Sequence, residues 1–147
     1  MGINSWKSIS VFPHLVVPVQ LYGKCVNGTI NWLASKDTKK SKYFILSLDL
    51  GNESYQEVLL PNYGQGDACN FHLSVFRDCL IMFSGDVVWV MKEYGNKESW
   101  TKLFTISYRR DPRTTPYSCI KAIYVFEDDQ VLLNIGGSRG KYIFYNW

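Results

Sequence analysis

The sequence predicts an all-β fold, and three observations carry that expectation. Aromatic and β-branched residues, including 10 Tyr, 8 Phe and 5 Trp among 147 residues, fall in short runs of about five to seven residues. Pairs and triplets of turn-forming residues separate those runs. Both features recur at an interval of about 50 residues.

Taken in chain order, the expected strands are residues 5–10, 29–34, 43–49, 55–59, 73–76, 79–83, 87–93, 100–107, 120–126, 131–135 and 141–145. Most are too short for helices. Asn27-Gly28 stands before the second, Arg77-Asp78 between the fifth and sixth, Ser84-Gly85-Asp86 between the sixth and seventh, and Glu127-Asp128-Asp129 between the ninth and tenth. Such tight polar connections close hairpins, so consecutive strands are expected to pair antiparallel. Asn27-Gly28 suits the two positive φ angles of a type I′ turn, and Asp49 and Glu53 flank Gly51-Asn52 as acceptors for turn N–H groups. In the strand at 87–93, alternation puts Val88, Val90 and Lys92 on one face and Val87, Trp89 and Met91 on the other. Both faces are largely apolar, as expected of a strand sandwiched between two neighbours, and Trp89 reads as core.

The recurrence gives the strands an architecture. Ser5-Trp6-Lys7-Ser8-Ile9, Ser54-Tyr55-Gln56-Glu57-Val58 and Ser99-Trp100-Thr101-Lys102-Leu103 share the form serine, aromatic, two residues, aliphatic, at spacings of 49 and 45. Asn27, Asp78 and Asp129 sit at intervals of 51, each ahead of a hydrophobic strand. A unit of about 50 residues with about four short strands describes a kelch-like β-propeller, built from four-stranded antiparallel blades that need neighbours to bury their faces. Chance agreement among aromatic-rich strands is the alternative. The chain opens on the outer strand of one unit, holds two fuller units and breaks off in another, so the expected propeller is partial.

Composition excludes more than it assigns. The chain carries 16 Lys plus Arg against 13 Asp plus Glu, a net charge of +3, with 46% hydrophobic and 20% charged residues. The charges are interspersed, so no basic stripe marks a nucleic-acid partner. No apolar run approaches the ~20 residues of a membrane-spanning helix. Pro13, His14 and Pro18 interrupt the apolar stretch near the start, and no basic segment or cleavage site frames it, so a cytoplasmic or nuclear, reducing compartment is expected. Cys25, Cys69, Cys79 and Cys119 form no C-x-x-C pair and read as small buried hydrophobes. Asn27-Gly28-Thr29 and Asn52-Glu53-Ser54 match the glycosylation sequon but read as turns.

At Val88-Trp89-Val90-Met91-Lys92-Glu93-Tyr94-Gly95, followed by Glu98-Ser99-Trp100-Thr101-Lys102-Leu103, the sequence resembles the signature of the plant F-box-associated interaction domain. Ser5-Trp6-Lys7, Gly23 with Val26-Asn27-Gly28, and Asn31-Trp32-Leu33-Ala34 are similar to its opening segments. Residues 45–50, Glu53-Ser54-Tyr55 and Leu60-Pro61 are similar to its next, and Val131-Leu132-Leu133 and Tyr145-Asn146 to its last strands. Asn31 departs from the pattern, which has histidine there. The resemblance implies a single domain over 1–147 that recruits a target protein to a Skp-cullin-F-box ubiquitin ligase without catalysis of its own. Adaptor and cullin are reached through an F-box, and nothing before Ser5 reads as one. A stand-alone binding module without the ligase link is the alternative, and an enzyme with a dispersed carboxylate site is a more distant one.

No recognised catalytic signature is present: no G-x-S-x-G, H-E-x-x-H, Walker loop or G-x-G-x-x-G occurs. Gly136-Gly137-Ser138-Arg139-Gly140 lies between two expected strands and reads as a hairpin loop. Cys69, His72 and Cys79 offer fewer ligands than structural zinc takes, so neither metal nor cofactor is expected. His14 reads as exposed, and two histidines leave few routes to a triad. Loops on a rigid scaffold carry recognition. Residues 62–68 form one flexible, nearly neutral candidate. Tyr108, Arg109, Arg110, Arg113 and Tyr117 concentrate residue types enriched at binding hot spots, and form the expected partner-binding loop. A solvated connection between blades is its bland reading. The cluster Lys36, Lys39, Lys40 and Lys42 reads as a soluble hairpin tip. Replacing Arg109, Arg110 and Arg113 together by Ala is expected to abolish target capture in a pull-down while leaving the unfolding transition in place; undiminished capture would remove the loop from consideration.

Overall fold

A computed structural model describes residues 4–9, 11–37, 42–62, 71–106, 120–135 and 141–146, with the backbone alone at 120–123, 135 and 141. Twelve strands are found there: β1 (Val17–Pro18), β2 (Lys24–Val26), β3 (Thr29–Ser35), β4 (Tyr43–Asp49), β5 (Ser54–Val58), β6 (Phe71–Phe76), β7 (Cys79–Ser84), β8 (Val87–Met91), β9 (Trp100–Thr105), β10 (Ile120–Val125), β11 (Gln130–Ile135) and β12 (Lys141–Asn146). A 3-10 turn at Lys97–Ser99 is the one helical element among the described residues.

The strands form three antiparallel sheets that follow chain order, which is the blade arrangement of a partial propeller. Blade 1 runs β3-β4-β5 with β1 and β2 laid end to end along the free edge of β3. Blade 2 is the meander β6-β7-β8-β9, and blade 3 is β10-β11-β12.

The hairpins close as their residues require. Asn27 (φ 49°) and Gly28 (φ 71°) are both left-handed, as a type I′ turn demands, and Arg77 (φ 47°) with Asp78 (φ 58°) repeats it one blade on. Gly85, first of the two residues between β7 and β8, is left-handed at φ 61°. The Glu127-Asp128-Asp129 loop ends on Asp129 at φ 64°, with the Phe126 N–H donating to the Gln130 carbonyl at 2.8 Å. Asp49 Oδ1 accepts from the Gly51 and Asn52 N–H groups at 2.8 Å each. Glu53 differs from expectation: it is itself left-handed (φ 54°), and its carboxylate pairs with Lys7.

Packing runs from sheet to sheet. Leu33, Ile45 and Val58 of blade 1 meet Leu73, Leu80, Met82 and Met91 of blade 2 in one cluster. Ile81, Phe83, Val88 and Val90, on the opposite face of blade 2, meet Val125, Val131 and Leu133 of blade 3 in another. Blade 2 is therefore buried on both faces, and the alternation read along 87–91 assigns its residues to the correct sides. Trp89 is half-buried and packs against the first cluster rather than within it. The far face of blade 1, with Ala34, Phe44 and Leu46, is covered by Phe12 and Val16 from the chain ahead of β1.

Several expectations are corrected. Residues 4–9 form no strand and Trp6 is fully exposed, because no described strand lies beside them to pair with. β8 stops at Met91 because Lys92 and Glu93 turn away toward Ser99. β1 and β2 were not expected: they are too short to show a period, and Pro18 occupies an edge where its missing N–H costs nothing. Cys25 is exposed, not buried, since β2 is an edge strand and the residue faces away from the blade 1–blade 2 core; Cys79 is half-buried, and Cys69 and Cys119 lie outside the described residues.

Gly23 sits where a close approach forbids a side chain. A Cβ there would lie 2.3 Å from Ile30 Cγ2 and 2.8 Å from Trp32 Cε2. Ile30 is β-branched and stiff at χ1, so it cannot simply swing aside. Gly23→Ala should lower stability by about 1–3 kcal/mol as an overpacking change, read as a fall in the urea midpoint; a change under ~0.5 kcal/mol would mean the approach is not maintained.

Candidate interaction surface

The seam between blades 1 and 2 collects most of the signature residues. Beyond Met91 the chain makes a loop pinned by Ser99, whose Oγ donates toward the Glu93 and Asn96 carbonyls (2.9 and 2.7 Å) and accepts from the Glu93 N–H at 3.0 Å. Asn96 caps the 3-10 turn by accepting from the Glu98 N–H at 3.0 Å. The Gly95 N–H reaches Met91 Sδ at 3.2 Å. The loop is thus fixed by its own short polar residues, and it aims Tyr94 back across the seam.

Tyr94 enters a polar network built on blade 1. Its hydroxyl donates to Asn31 Oδ1 at 2.7 Å, and Ser47 Oγ lies 2.5 Å from the Tyr94 hydroxyl oxygen. A phenol has one proton, so with that proton on Asn31 the serine is the donor to Tyr94. Asn31 Nδ2 donates to Thr29 Oγ1 at 2.8 Å and to the Lys24 carbonyl at 3.1 Å, and Thr29 Oγ1 donates to the Val26 carbonyl at 2.7 Å while lying 2.9 Å from the Tyr94 oxygen. Asn31 and Ser47 are fully buried, and Thr29 nearly so. Each donor and acceptor of Asn31 is used, which is the condition under which a buried polar network stabilises.

Two further groups lock this seam. Gln20, in the excursion between β1 and β2, presents its amide to the edge of β6: Oε1 accepts from the Leu73 N–H at 2.8 Å, and Nε2 lies 3.4 Å from the Leu73 carbonyl and 2.8 Å from His72 Nδ1. A side-chain amide thereby does what a neighbouring strand would do. The Trp100 indole N–H donates to the Leu59 carbonyl at 2.9 Å. At the next seam, Arg77 lies over Phe76, reaches the Glu127 carbonyl at 3.0 Å and pairs with Asp129 at 3.2 Å, and the Tyr145 hydroxyl donates to the Thr105 carbonyl at 3.1 Å.

At the turn-bearing rim of the first seam lies an open cavity of about 460 Å³. Val26 and Asn27 line it from blade 1, and Asp78, Cys79, Leu80, Met91, Lys92 and Tyr94 from blade 2. Tyr108, Arg109, Arg110, Arg113 and Tyr117 fall outside the described residues, as do 63–70 and the glycine-rich 136–140. His72 is turned to Gln20, Cys69 lies outside the described residues, and no group of metal-ligating residues occurs among those described. His14 is exposed. Lys36 pairs with Glu57 at 2.6 Å and lies over Phe44, so it serves blade 1 itself. No described helix is long and apolar enough to cross a membrane. The cavity and the Gln20 clasp had no sequence signal, because they join residues about 50 positions apart through turns.

Tyr94→Phe removes one hydroxyl and leaves Asn31 Oδ1 without its donor. The expected loss is about 1–3 kcal/mol, against less than ~0.5 kcal/mol for the same change at exposed Tyr142, both measured by urea unfolding. Equal effects would mean that the network is not formed.

The sequence matches the family described as "F-box associated beta propeller domain" over residues 1–146. The F-box/kelch-repeat protein At3g23880 of Arabidopsis thaliana is 33% identical over 108 residues, covering 69% of this chain and 29% of the relative. F-box protein At3g07870 from the same plant is 30% identical over 107 residues, covering 69% of the chain and 25% of the relative. F-box protein CPR1, also from Arabidopsis, is 25% identical over 154 residues, covering 92% of the chain and 37% of the relative. The chain therefore spans well under half the length of these relatives. The blades, their order and the signature at the first seam agree with that match, and the chain belongs to the F-box associated β-propeller domain family.

Proposed function

We propose that this chain is a non-catalytic recognition module that holds a target protein for a Skp-cullin-F-box ubiquitin ligase, acting in the cytoplasm or nucleus. The observation that carries the reading is the family match over residues 1–146, joined to relatives named as F-box proteins. The architecture suits the task. Two seams, each with an apolar core and its own polar ties, hold three blades at a fixed spacing, and a rigid scaffold lets loops and rims bind without a large ordering cost. The adaptor and cullin are contacted by an F-box, while this domain contributes the target.

The test is a gain-of-function fusion. Proteins captured by residues 1–147 alone should become ubiquitinated, and their half-lives should fall, when the same residues are expressed behind the F-box of a relative. Capture without any change in ubiquitination would favour a binding module with no ligase link, and the reading would then be given up.

A further inference from the structure

We infer that two copies of this chain close into one ring of about six blades, each copy lending residues 5–9 as the fourth strand of the other's blade 3. The inference concerns assembly and does not depend on the recruiting role above. The turns Asn27-Gly28, Arg77-Asp78 and Glu127-Asp128-Asp129 each join the first rank of a blade to its second, so the three sheets are in phase. Blades 1 and 2 have four ranks, with β1 and β2 together forming the first rank of blade 1, whereas blade 3 has three described strands. The rank it lacks is the one that β5 and β9 fill. Both of those strands carry serine, aromatic, two residues, aliphatic, and so do residues 5–9, which form no strand. Blade 3 thus offers an edge along β12 with no described neighbour, and residues 5–9 are a strand sequence without a sheet. Within one copy the two do not meet. Lys7 is tied to Glu53 of blade 1, and blade 2 lies between blade 1 and blade 3, so the match is between copies.

The register follows from the two complete blades. Tyr55 lies opposite Leu48, and Trp100 opposite Met91. Tyr145 has the place of Leu48 and Met91 on the third strand of its own blade, so Trp6 falls opposite Tyr145 and Lys7 opposite Phe144. Neighbours along a strand face opposite sides. Lys7 faces its own blade 1 through Glu53. Trp6 is then turned toward blade 2 of the other copy, into the place that Trp100 takes between blades 1 and 2. That burial gives a role to a tryptophan wholly exposed in the single copy. The sheet faces agree with it. Tyr142 and Phe144 stand at the positions of Val88 and Val90 on blade 2, yet they are 62% and 65% exposed against 0% and 7%. Tyr124, Phe126 and Phe144 form a run of rings on that open face, with centroids 4.8 and 5.9 Å apart. In the ring this face meets the far face of the other copy's blade 1, where Phe12 already packs edge-on against Trp32 and Tyr55 at 5.8 Å. Three blades fall short of the roughly 4–8 of a closed propeller, and two copies reach that range. A head-to-tail contact closes only when the rotation per copy divides the circle, and three blades of about six make half a turn.

The experiment measures the mass of the whole chain by light scattering across a dilution series. Twice the mass of one chain is expected at the highest concentrations. A monomer throughout, or polymers that lengthen with concentration, overturns the inference. Trp6→Ser alters a side chain that is wholly exposed in the single copy, so it should leave the urea midpoint of the dissociated chain in place. It should weaken pairing about thirtyfold or more, the scale of an aromatic hot spot. Phe144→Ser should weaken pairing to a similar degree. Mixed in equal amounts, the two variants should pair with each other better than either pairs with itself, because one of the two junctions then joins an unaltered Trp6 to an unaltered Phe144. A dimer made through two blade 3 faces would ignore Trp6→Ser and gain nothing from mixing, and either result overturns the strand exchange.

Discussion

Blades 1 and 2 of this chain are sheets with two apolar faces, and a sheet of that kind is stable only when something covers both. Blade 2 shows the consequence most fully. Leu80 and Met82 alternate along β7 with Ile81 and Phe83, and the first pair is buried against blade 1 while the second is buried against blade 3. Only the far face of blade 1 packs against its own leading chain; every other cluster is shared between two blades. The unit of stability is the seam, so blade spacing is set by side-chain volumes such as those of Leu33, Ile45 and Met91 on one side and Phe83, Val90 and Leu133 on the other. Cavity or overpacking changes at these positions act on two blades at once.

Apolar faces alone leave two sheets free to slide or rotate, and the polar ties remove that freedom. Gln20, Tyr94 and Trp100 bridge the first seam, and Arg77 and Tyr145 the second. The buried ones specify register rather than adding much net stability, because each exchanges hydrogen bonds with water for bonds within the protein. Displacing blade 1 relative to Tyr94 would leave the buried Asn31 Oδ1 without its donor and the buried Ser47 hydroxyl without its acceptor, and that penalty selects one arrangement. The exposed Arg77–Asp129 pair contributes less by itself. It matters through geometry, joining two turns that occupy equivalent places on neighbouring blades.

Much of this was legible in the sequence where the signal is local. Strands longer than about four residues announce themselves by alternation and by the turns beside them, so β3 to β12 fall near their expected places and the Asn27-Gly28 turn has the expected hand. What was not legible depends on partners far along the chain. The run at 5–9 has the same local form as β5 and β9, yet it is no strand, since a strand is a property of a pair. Tyr94 reads as one more aromatic in a loop until blade 1 is placed opposite it. Gln20 has no pattern at all: an amide that substitutes for a strand edge needs only reach. The rim cavity is likewise the gap left by turns of two different blades, one at Asn27 and one at Asp78.

Asn31 shows how one buried side chain is fitted to the chemistry of its surroundings. The position must accept one hydrogen bond from the Tyr94 hydroxyl and donate toward Thr29 and the Lys24 carbonyl. A neutral imidazole provides one acceptor and one donor, whereas an amide provides an acceptor and two N–H donors. Asparagine therefore satisfies one more buried group than a histidine would. A histidine here, even held neutral by burial, would offer one acceptor and one donor, so one of the groups that Asn31 now serves would lose its partner. With Asn31 no proton is gained or lost at the centre of the network between pH 5 and 8, so in this chain the tie between blades 1 and 2 does not depend on the charge state of the residue at its heart.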